Sequence, residues 1–183
     1  FFHSHQFRFV RGRVTRVDRT AKEVHVGTDR IAYQYLVIAT GSTTNFYSMS
    51  GTEHAYTLKS VEDAVKLKRA IISRAQEADR RVVVTVVGGG PTGLELVFDI
   101  HQLLEDLKRR RHGADYEVRL VHATDVFCRG GGEWIQAYIS RALHRSQITL
   151  VCNARVQAIT SDTVQTSVGS FHSDVTILCA GVR

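Results

Sequence analysis

Apolar residues alternate with polar ones, or run together over strand lengths, along residues 7–19 and 23–39, and turn-forming residues separate the two stretches. The pattern predicts two or three antiparallel strands followed by a buried strand at 35–39 that ends in the small-residue turn Thr40-Gly41-Ser42. Residues 43–57 show no period. Ser60 then opens a capping box with Asp63 in the third helical place, and Val61, Ala64, Val65, Leu67, Ala70 and Ile71 recur at helical spacing, which predicts a helix over 61–77. The stretch "RRVVVTVV" at 80–87 is, after its two arginines, β-branched and apolar on both faces, the mark of a strand buried on both sides of a parallel sheet. A long helix over 92–111, a strand at 116–123, a helix over 133–145 and a strand at 148–152 follow, and the rest of the chain reads as three short antiparallel strands and a last buried one.

The two antiparallel portions resemble each other. Val14 and Val17 correspond to Val156 and Ile159, Val24 to Val164, Ile31 to Phe171, Gln34 to Asp174 and Gly41 to Gly181. Each copy is a small meander feeding an apolar strand that ends in a small residue and glycine. The chain therefore reads as the tail of one nucleotide-type domain and the whole of a second. The expected class is α/β: a Rossmann-like parallel sheet with helices on both faces, plus small antiparallel meanders.

Between the apolar strand and the long helix stands "GGGPTG". Gly88, Gly90 and Gly93 form GxGxxG, a weak signal alone and a stronger one between strand and helix with a second strand beyond. Gly88 permits the tight turn, Gly90 removes a side chain where a diphosphate would approach, and Gly93 lets helix and strand pack closely. Gly89 belongs to the same loop, Pro91 suits the first helical position, and Thr92 offers a hydroxyl. Amides at the helix start, aided by its dipole, face the anion. A carboxylate normally stands at the end of the next strand to hold the adenosine ribose. Here it is His122, which can bond a ribose hydroxyl, can pair with a 2′-phosphate helped by Arg129, or can be a satisfied strand-end residue. Asp125 offers a carboxylate from the loop. NAD and NADP both stay open at this level.

Composition narrows the class. No run approaches ~18 apolar residues, so no spanning helix is encoded, and the start of the chain lacks the parts of a secretion signal. The net charge of +6 rests on 19 Arg and 5 Lys, but no aromatic interleaving or nucleic-acid motif accompanies it, so no nucleic-acid partner is expected. The arginine run at 109–111 fits a helix C-terminus, where cations complement the dipole. Cys128, Cys152 and Cys179 are widely spaced, without CxxC, and fit a reducing cytoplasmic setting. His3 and His5 form an isolated HxH, and no metal site is expected.

Four segments in order, "AYQYLVIATGS", "GTEHAYTLKSVEDA", "VVVTVVGGGPTGLELV" and "DVTILCAGVR", resemble the FAD-dependent pyridine nucleotide-disulfide oxidoreductases, and most closely the type II NADH dehydrogenases (NADH:quinone oxidoreductases). The similarity runs from about residue 7 to 183. In that family a nicotinamide-binding domain is inserted into an FAD-binding domain of similar fold. The resemblance implies that residues 1–44 are part of an FAD-binding domain and 45–183 an NAD(P)H-binding domain. It places Gly88, Gly90 and Gly93 at the diphosphate, Glu95 near the nicotinamide end, Ala180 and Gly181 beside the nicotinamide, and Thr40 and Gly41 near FAD. It implies NAD(P)H and FAD as cofactors, with hydride passing to the flavin and onward to a quinone or other electron acceptor through domains outside this chain. It allows a homodimer and peripheral association with the inner face of a membrane.

Three residues depart from the family pattern. Gln34 replaces the usual acid of the first apolar strand, His122 replaces the ribose acid, and Val97 stands where a small residue normally lets the helix pack. No first GxGxxG is present, so the chain reads as a middle segment, expected to hold FAD poorly and to show no NADH:quinone turnover unaided. Two other readings compete with the dehydrogenase: a ferredoxin or nitrite reductase component of the same flavoprotein group, and a non-catalytic nucleotide-binding or interaction domain.

Overall fold

The computed structural model describes residues 8–43, 45–110, 114–128 and 132–181, which divide after Gly41 into two units. His3, His5 and Arg129 lie outside the described residues.

The first unit is a meander of β1 (Val14–Asp18), β2 (Glu23–Val26) and β3 (Asp29–Ala32). Asp18 Oδ1 accepts the amides of Thr20 and Ala21, closing the first turn, and Gly27 supplies the left-handed residue (φ +61°) of the second. The apolar segment 35–39 departs from expectation. It joins no ladder, and Tyr35, Val37 and Ile38 are 92%, 86% and 71% exposed. Periodicity reports that a segment suits burial, whereas a strand also needs neighbours to accept its amides and cover its side chains. None stands beside it among the described residues of this unit.

The second unit contains that arrangement in full. Its elements are β4 (Tyr56–Thr57), α1 (Val61–Glu77), β5 (Val82–Val87), α2 (Pro91–Arg109), β6 (Tyr116–Val121), α3 (Glu133–Arg145), β7 (Thr149–Val151), β8 (Val156–Ile159), β9 (Thr163–Thr166), β10 (Gly169–His172) and β11 (Val175–Leu178). Five strands form one parallel sheet in the order β4-β11-β5-β6-β7, and β8, β9 and β10 form an antiparallel meander. The internal repeat holds to the register. Val17 faces Val24 and Val24 faces Ile31 in the first unit, as Ile159 faces Val164 and Val164 faces Phe171 in the second, and each first strand carries a bulge at the same place.

Two cores lie on opposite faces of the parallel sheet. Val82, Val84 and Val86 of β5, Val118 and Leu120 of β6 and Ile177 of β11 pack against Leu67, Ile71, Val97, Ile100, Leu104 and Leu143 from all three helices. Val87, Val121 and Leu178 point the other way, onto Val156, Ile159 and Val164 of the meander. The parallel sheet with helices and small antiparallel sheets is thus as expected, with one change. The helices cover one face and the meander covers the other, because an all-apolar strand specifies two covers without specifying what they are. Each fully buried Val or Leu contributes roughly 1.5–3 kcal/mol. Val97, unusual on family grounds, is completely buried within the helical core, so its extra bulk is packed rather than excluded.

The capping box forms as read. Ser60 Oγ accepts the Asp63 amide at 3.1 Å while the Asp63 carboxylate accepts the Ser60 amide at 3.2 Å, so α1 starts where the sequence puts it. Its buried stripe is narrower than the spacing suggests: Leu67, Ile71 and Ala75 are covered, while Val61 and Val65 are exposed. Strand β4, two residues long, gave no periodic signal.

Asp174 shows what the acid at that repeat position does. Its carboxylate accepts the Val83 amide at 2.8 Å and pairs with Arg80 and His172, fastening the start of β11 to β5. Burial alone would raise this carboxyl, but the Arg80 hydrogen bond, the Val83 amide and the nearby His172 outweigh it and hold it below the usual carboxylate range. The corresponding Gln34 brings an amide in place of that charge.

Candidate functional site

Strand β5 ends at Val87, and the chain must reverse within three residues to start α2. Gly88 makes the turn with φ +115°, a conformation that favours glycine, and a Cβ there would meet the Cys179 carbonyl oxygen at 2.5 Å. The Gly88 amide donates to Val121 O (2.8 Å) and the Cys179 amide to Val87 O (2.8 Å), so the ends of β6, β5 and β11 are tied together under the loop. Gly93 sits one turn into α2, and a Cβ on it would lie 1.9 Å from the Gly88 oxygen. The helix can approach the turn this closely only because Gly93 lacks a side chain, as β11 can approach it only because Gly88 does.

Gly90 is different. It caps α2 in ordinary extended conformation (φ −76°, ψ 177°), and a Cβ there would meet nothing within 4 Å. The empty space faces the start of the helix. Pro91 is the first helical residue, the Gly90 carbonyl accepts from Leu94 at 3.0 Å, and no side chain caps the end. The amides of Thr92 and Gly93 therefore have no partner within the helix, and the positive end of the dipole is uncovered.

Gly89 is roofed. Its amide donates to His122 Nδ1 at 2.9 Å, and a Cβ on it would strike Phe127 and His122 at 2.8 and 2.9 Å. His122 Nε2 lies 3.0 Å from Val126 O and 3.1 Å from Thr124 Oγ1, and the ring stacks on Phe127 with centroids 5.6 Å apart. Accepting an amide at Nδ1 fixes the tautomer with the proton on Nε2, aimed at Val126 O. Both ring nitrogens thus have partners within the protein. Gln136 of α3 holds the same loop by bonding both the amide (2.8 Å) and the carbonyl (2.6 Å) of Phe127.

These loops frame a cleft of about 660 Å³ at the C-terminal ends of β5, β6, β7 and β11, where ligands bind in open α/β sheets. Gly88, Gly89, Gly90, Pro91 and His122 line it, as do Ala180 and Gly181 on the β11 side. Gly181 has φ +124°, and a Cβ on it would meet Tyr47 Oη at 2.8 Å, so Tyr47 closes that end. Thr92, which is exposed, and Gly93, which is buried, follow Pro91 in the first turn of α2 and are not among the lining residues. Glu95 projects from the exposed side of α2 and does not line the cleft. Asp125 is exposed on its loop and likewise lines none of it. Thr40 and Gly41 belong to the first unit, where both are exposed and Gly41 takes φ +79°.

Sequence reasoning missed Tyr47, Met49, Thr124, Cys128 and Arg155 of the lining. The first two lie in a stretch without periodicity. Arg155 was legible only as a lone cation after a short strand. No acid is among the described lining residues, and Arg155 is the one charged side chain there. Burial raises the Cys152 thiol and pushes that of Cys179, which lines the cleft, up to about 11. The arrangement, with uncapped helical amides and Arg155 on a lining that holds no carboxylate among the described residues, suits binding and orienting an anion.

Comparison with known proteins agrees with this geometry. The model of the family described as "Pyridine nucleotide-disulphide oxidoreductase" matches residues 3–183. The chain is 26% identical over 154 residues to the mitochondrial external alternative NAD(P)H-ubiquinone oxidoreductase B1 of Arabidopsis thaliana, covering 76% of this chain and 27% of that protein. It is 25% identical over 218 residues to the type II NADH:quinone oxidoreductase of Haemophilus influenzae, covering 98% and 49%. The chain thus spans between 27% and 49% of the length of these two relatives. Among solved structures, NDH2 from Plasmodium falciparum in complex with NADH has a TM-score of 0.70 at 20% identity over 89% of this chain and 38% of that one. The ferredoxin reductase for the CYP199A2 system of Rhodopseudomonas palustris has a TM-score of 0.71 at 18% identity over 94% and 41%. At these identities the structural likeness shows the fold. With the family match over nearly its whole length, the chain belongs to the pyridine nucleotide-disulphide oxidoreductase family.

Proposed function

We propose that the second unit is the nicotinamide-nucleotide-binding module of an FAD-dependent NAD(P)H dehydrogenase, and that the first unit is a portion of its FAD-binding domain. The observation that carries this reading is the contrast within the glycine loop. Gly88 and Gly93 are glycines because protein atoms fill the space, whereas Gly90 borders open space in front of uncapped helical amides. A loop serving only as a turn has no need of glycine at position 90. A diphosphate does, because its oxygens must come within hydrogen-bond distance of main-chain amides.

In this reading the loop from Gly88 to Gly93, with Pro91 presetting the helix and Thr92 adding a hydroxyl, holds the diphosphate. Ala180 and Gly181 take the nicotinamide end, where Tyr47 closes the cleft beside Gly181. The adenosine extends over the ends of β6 and β7. Thr40 and Gly41 serve the flavin side. Bound FAD would supply the hydride acceptor, and the part played by this chain is to hold the nicotinamide in one orientation and keep charged side chains away from it. The names of the curated relatives support a quinone as the final acceptor.

Calorimetric titration of this chain with NADH and with ADP-ribose tests the reading. Both are expected to bind one to one with Kd between about 1 µM and 1 mM, the ordinary Michaelis range. ADP-ribose keeps most of the affinity, because the diphosphate and adenosine contacts dominate. Absence of saturable heat with both ligands would overturn it.

A further inference from the structure

We infer that Arg155, on the loop after β7, selects a 2′-phosphorylated nucleotide, so that this cleft holds NADPH more tightly than NADH. The inference rests on the nucleotide-binding reading above and assigns a residue that reading leaves unused.

Discrimination between the two nucleotides is made at the adenosine ribose, beside the end of the strand that follows the glycine loop. A carboxylate there accepts from the 2′-hydroxyl and repels a 2′-phosphate. In this chain the position is His122, and its ring is spent on the protein. Nδ1 accepts the Gly89 amide at 2.9 Å, and Nε2 faces Val126 O at 3.0 Å. The imidazole braces the glycine loop and has no nitrogen left for a ribose hydroxyl. The described lining of the cleft holds no carboxylate that would oppose a phosphate dianion.

Arg155 stands next to that vacated role. The Ala154 amide donates to His122 O at 2.9 Å and the His122 amide donates to Val151 O at 2.8 Å, so the loop after β7 is laced to the end of β6. The backbone of Arg155 is itself fixed: its amide donates to Ser167 Oγ at 3.1 Å and its carbonyl accepts the Ser167 amide at 2.9 Å. The guanidinium, in contrast, is exposed and makes no hydrogen bond or ion pair among the described residues. A fixed stem, an uncommitted planar fork of donors and a lining without acids together suit a phosphate monoester, which accepts two parallel hydrogen bonds from arginine.

The test is a set of calorimetric titrations with NADPH, NADH and 2′,5′-ADP on the wild-type chain, Arg155→Ala, Arg155→Lys and Arg129→Ala. Wild type is expected to bind NADPH between about tenfold and a hundredfold more tightly than NADH, the worth of one charge-assisted contact. Raising the salt should shrink that advantage, because an exposed pair is screened. In Arg155→Ala the NADPH affinity falls to within about twofold of NADH. Thermal unfolding of Arg155→Ala within about 2 °C of wild type shows that the variant is folded, its NADH affinity falls by less than its NADPH affinity, and Arg155→Lys keeps part of the preference. Equal or tighter NADH binding by wild type overturns the inference while leaving the nucleotide-binding reading intact. So does an NADPH preference that survives Arg155→Ala, or one that is lost in Arg129→Ala alone. Failure of every nucleotide to bind overturns both.

Discussion

Gly90→Val is expected to fold as stably as the wild-type chain, with a change within about 0.5 kcal/mol, and to lose nucleotide affinity by more than about tenfold. The two halves of this result come from the same observation. Gly90 has φ −76°, which valine adopts without strain, and its Cβ position meets no protein atom within 4 Å. Nothing in the fold requires glycine there. The added isopropyl group would occupy the space in front of the Thr92 and Gly93 amides, where a diphosphate oxygen has to sit. Thermal unfolding checks the first half and titration with NADH the second. A variant that binds NADH normally would show that the space is not used by the nucleotide, and the loop would then be a structural turn.

Gly93→Ala should behave in the opposite way. Its Cβ would lie 1.9 Å from the Gly88 carbonyl oxygen, with the Gly88 carbon at 3.1 Å and the Cys179 side chain at 3.4 Å. The first two are backbone atoms, held in turn by the Gly88 amide's bond to Val121 O. The overlap can be relieved only by moving α2 away from the end of β5, which opens the core formed by Leu94, Val97, Val84 and Val86. Overpacking of this kind costs roughly 3 kcal/mol, about 10 °C in Tm for a chain of this size. Unfolding of Gly93→Ala within 2 °C of wild type would mean that helix and strand are not packed as described. Two glycines three positions apart in one motif thus separate into one that serves packing and one that serves a ligand.

That separation could not be drawn from the sequence, which presents both as glycine in GxGxxG. What the sequence did carry was everything local and periodic. Ser60 and Asp63 marked the start of α1 because a capping box is a contact between residues three apart. The repeat from Val17, Val24 and Ile31 to Ile159, Val164 and Phe171 survived to the level of strand register because cross-strand pairing is written in spacing. Long-range partnership was carried less well. The run at 35–39 is as apolar as β11, yet β11 lies between β4 and β5 while Tyr35, Val37 and Ile38 are exposed, and no property of the segment itself distinguishes these outcomes. The valines of β5 announced two buried faces and left open that a meander would cover one of them.

The candidate site divides in the same manner. The loop and its helix were legible, since strand, glycines and Pro91 follow one another in the chain. The direction of the His122 ring was not, because it depends on the Gly89 amide, Val126 O and Phe127 meeting around it. Arg155 was hidden for the same reason: it is 65 residues from Gly90 and reaches the cleft only through the lacing of β7 to β6.

In the proposed function, main-chain amides at the start of α2 receive the diphosphate. Titration of the isotopically labelled chain with ADP-ribose, followed by the amide resonances, tests this directly. The largest and saturable shifts are expected at Gly90, Thr92 and Gly93, with smaller ones at His122 and Ala154, and none on the outer face of α3. Shifts that are absent from the Gly90–Gly93 amides while appearing elsewhere would contradict it.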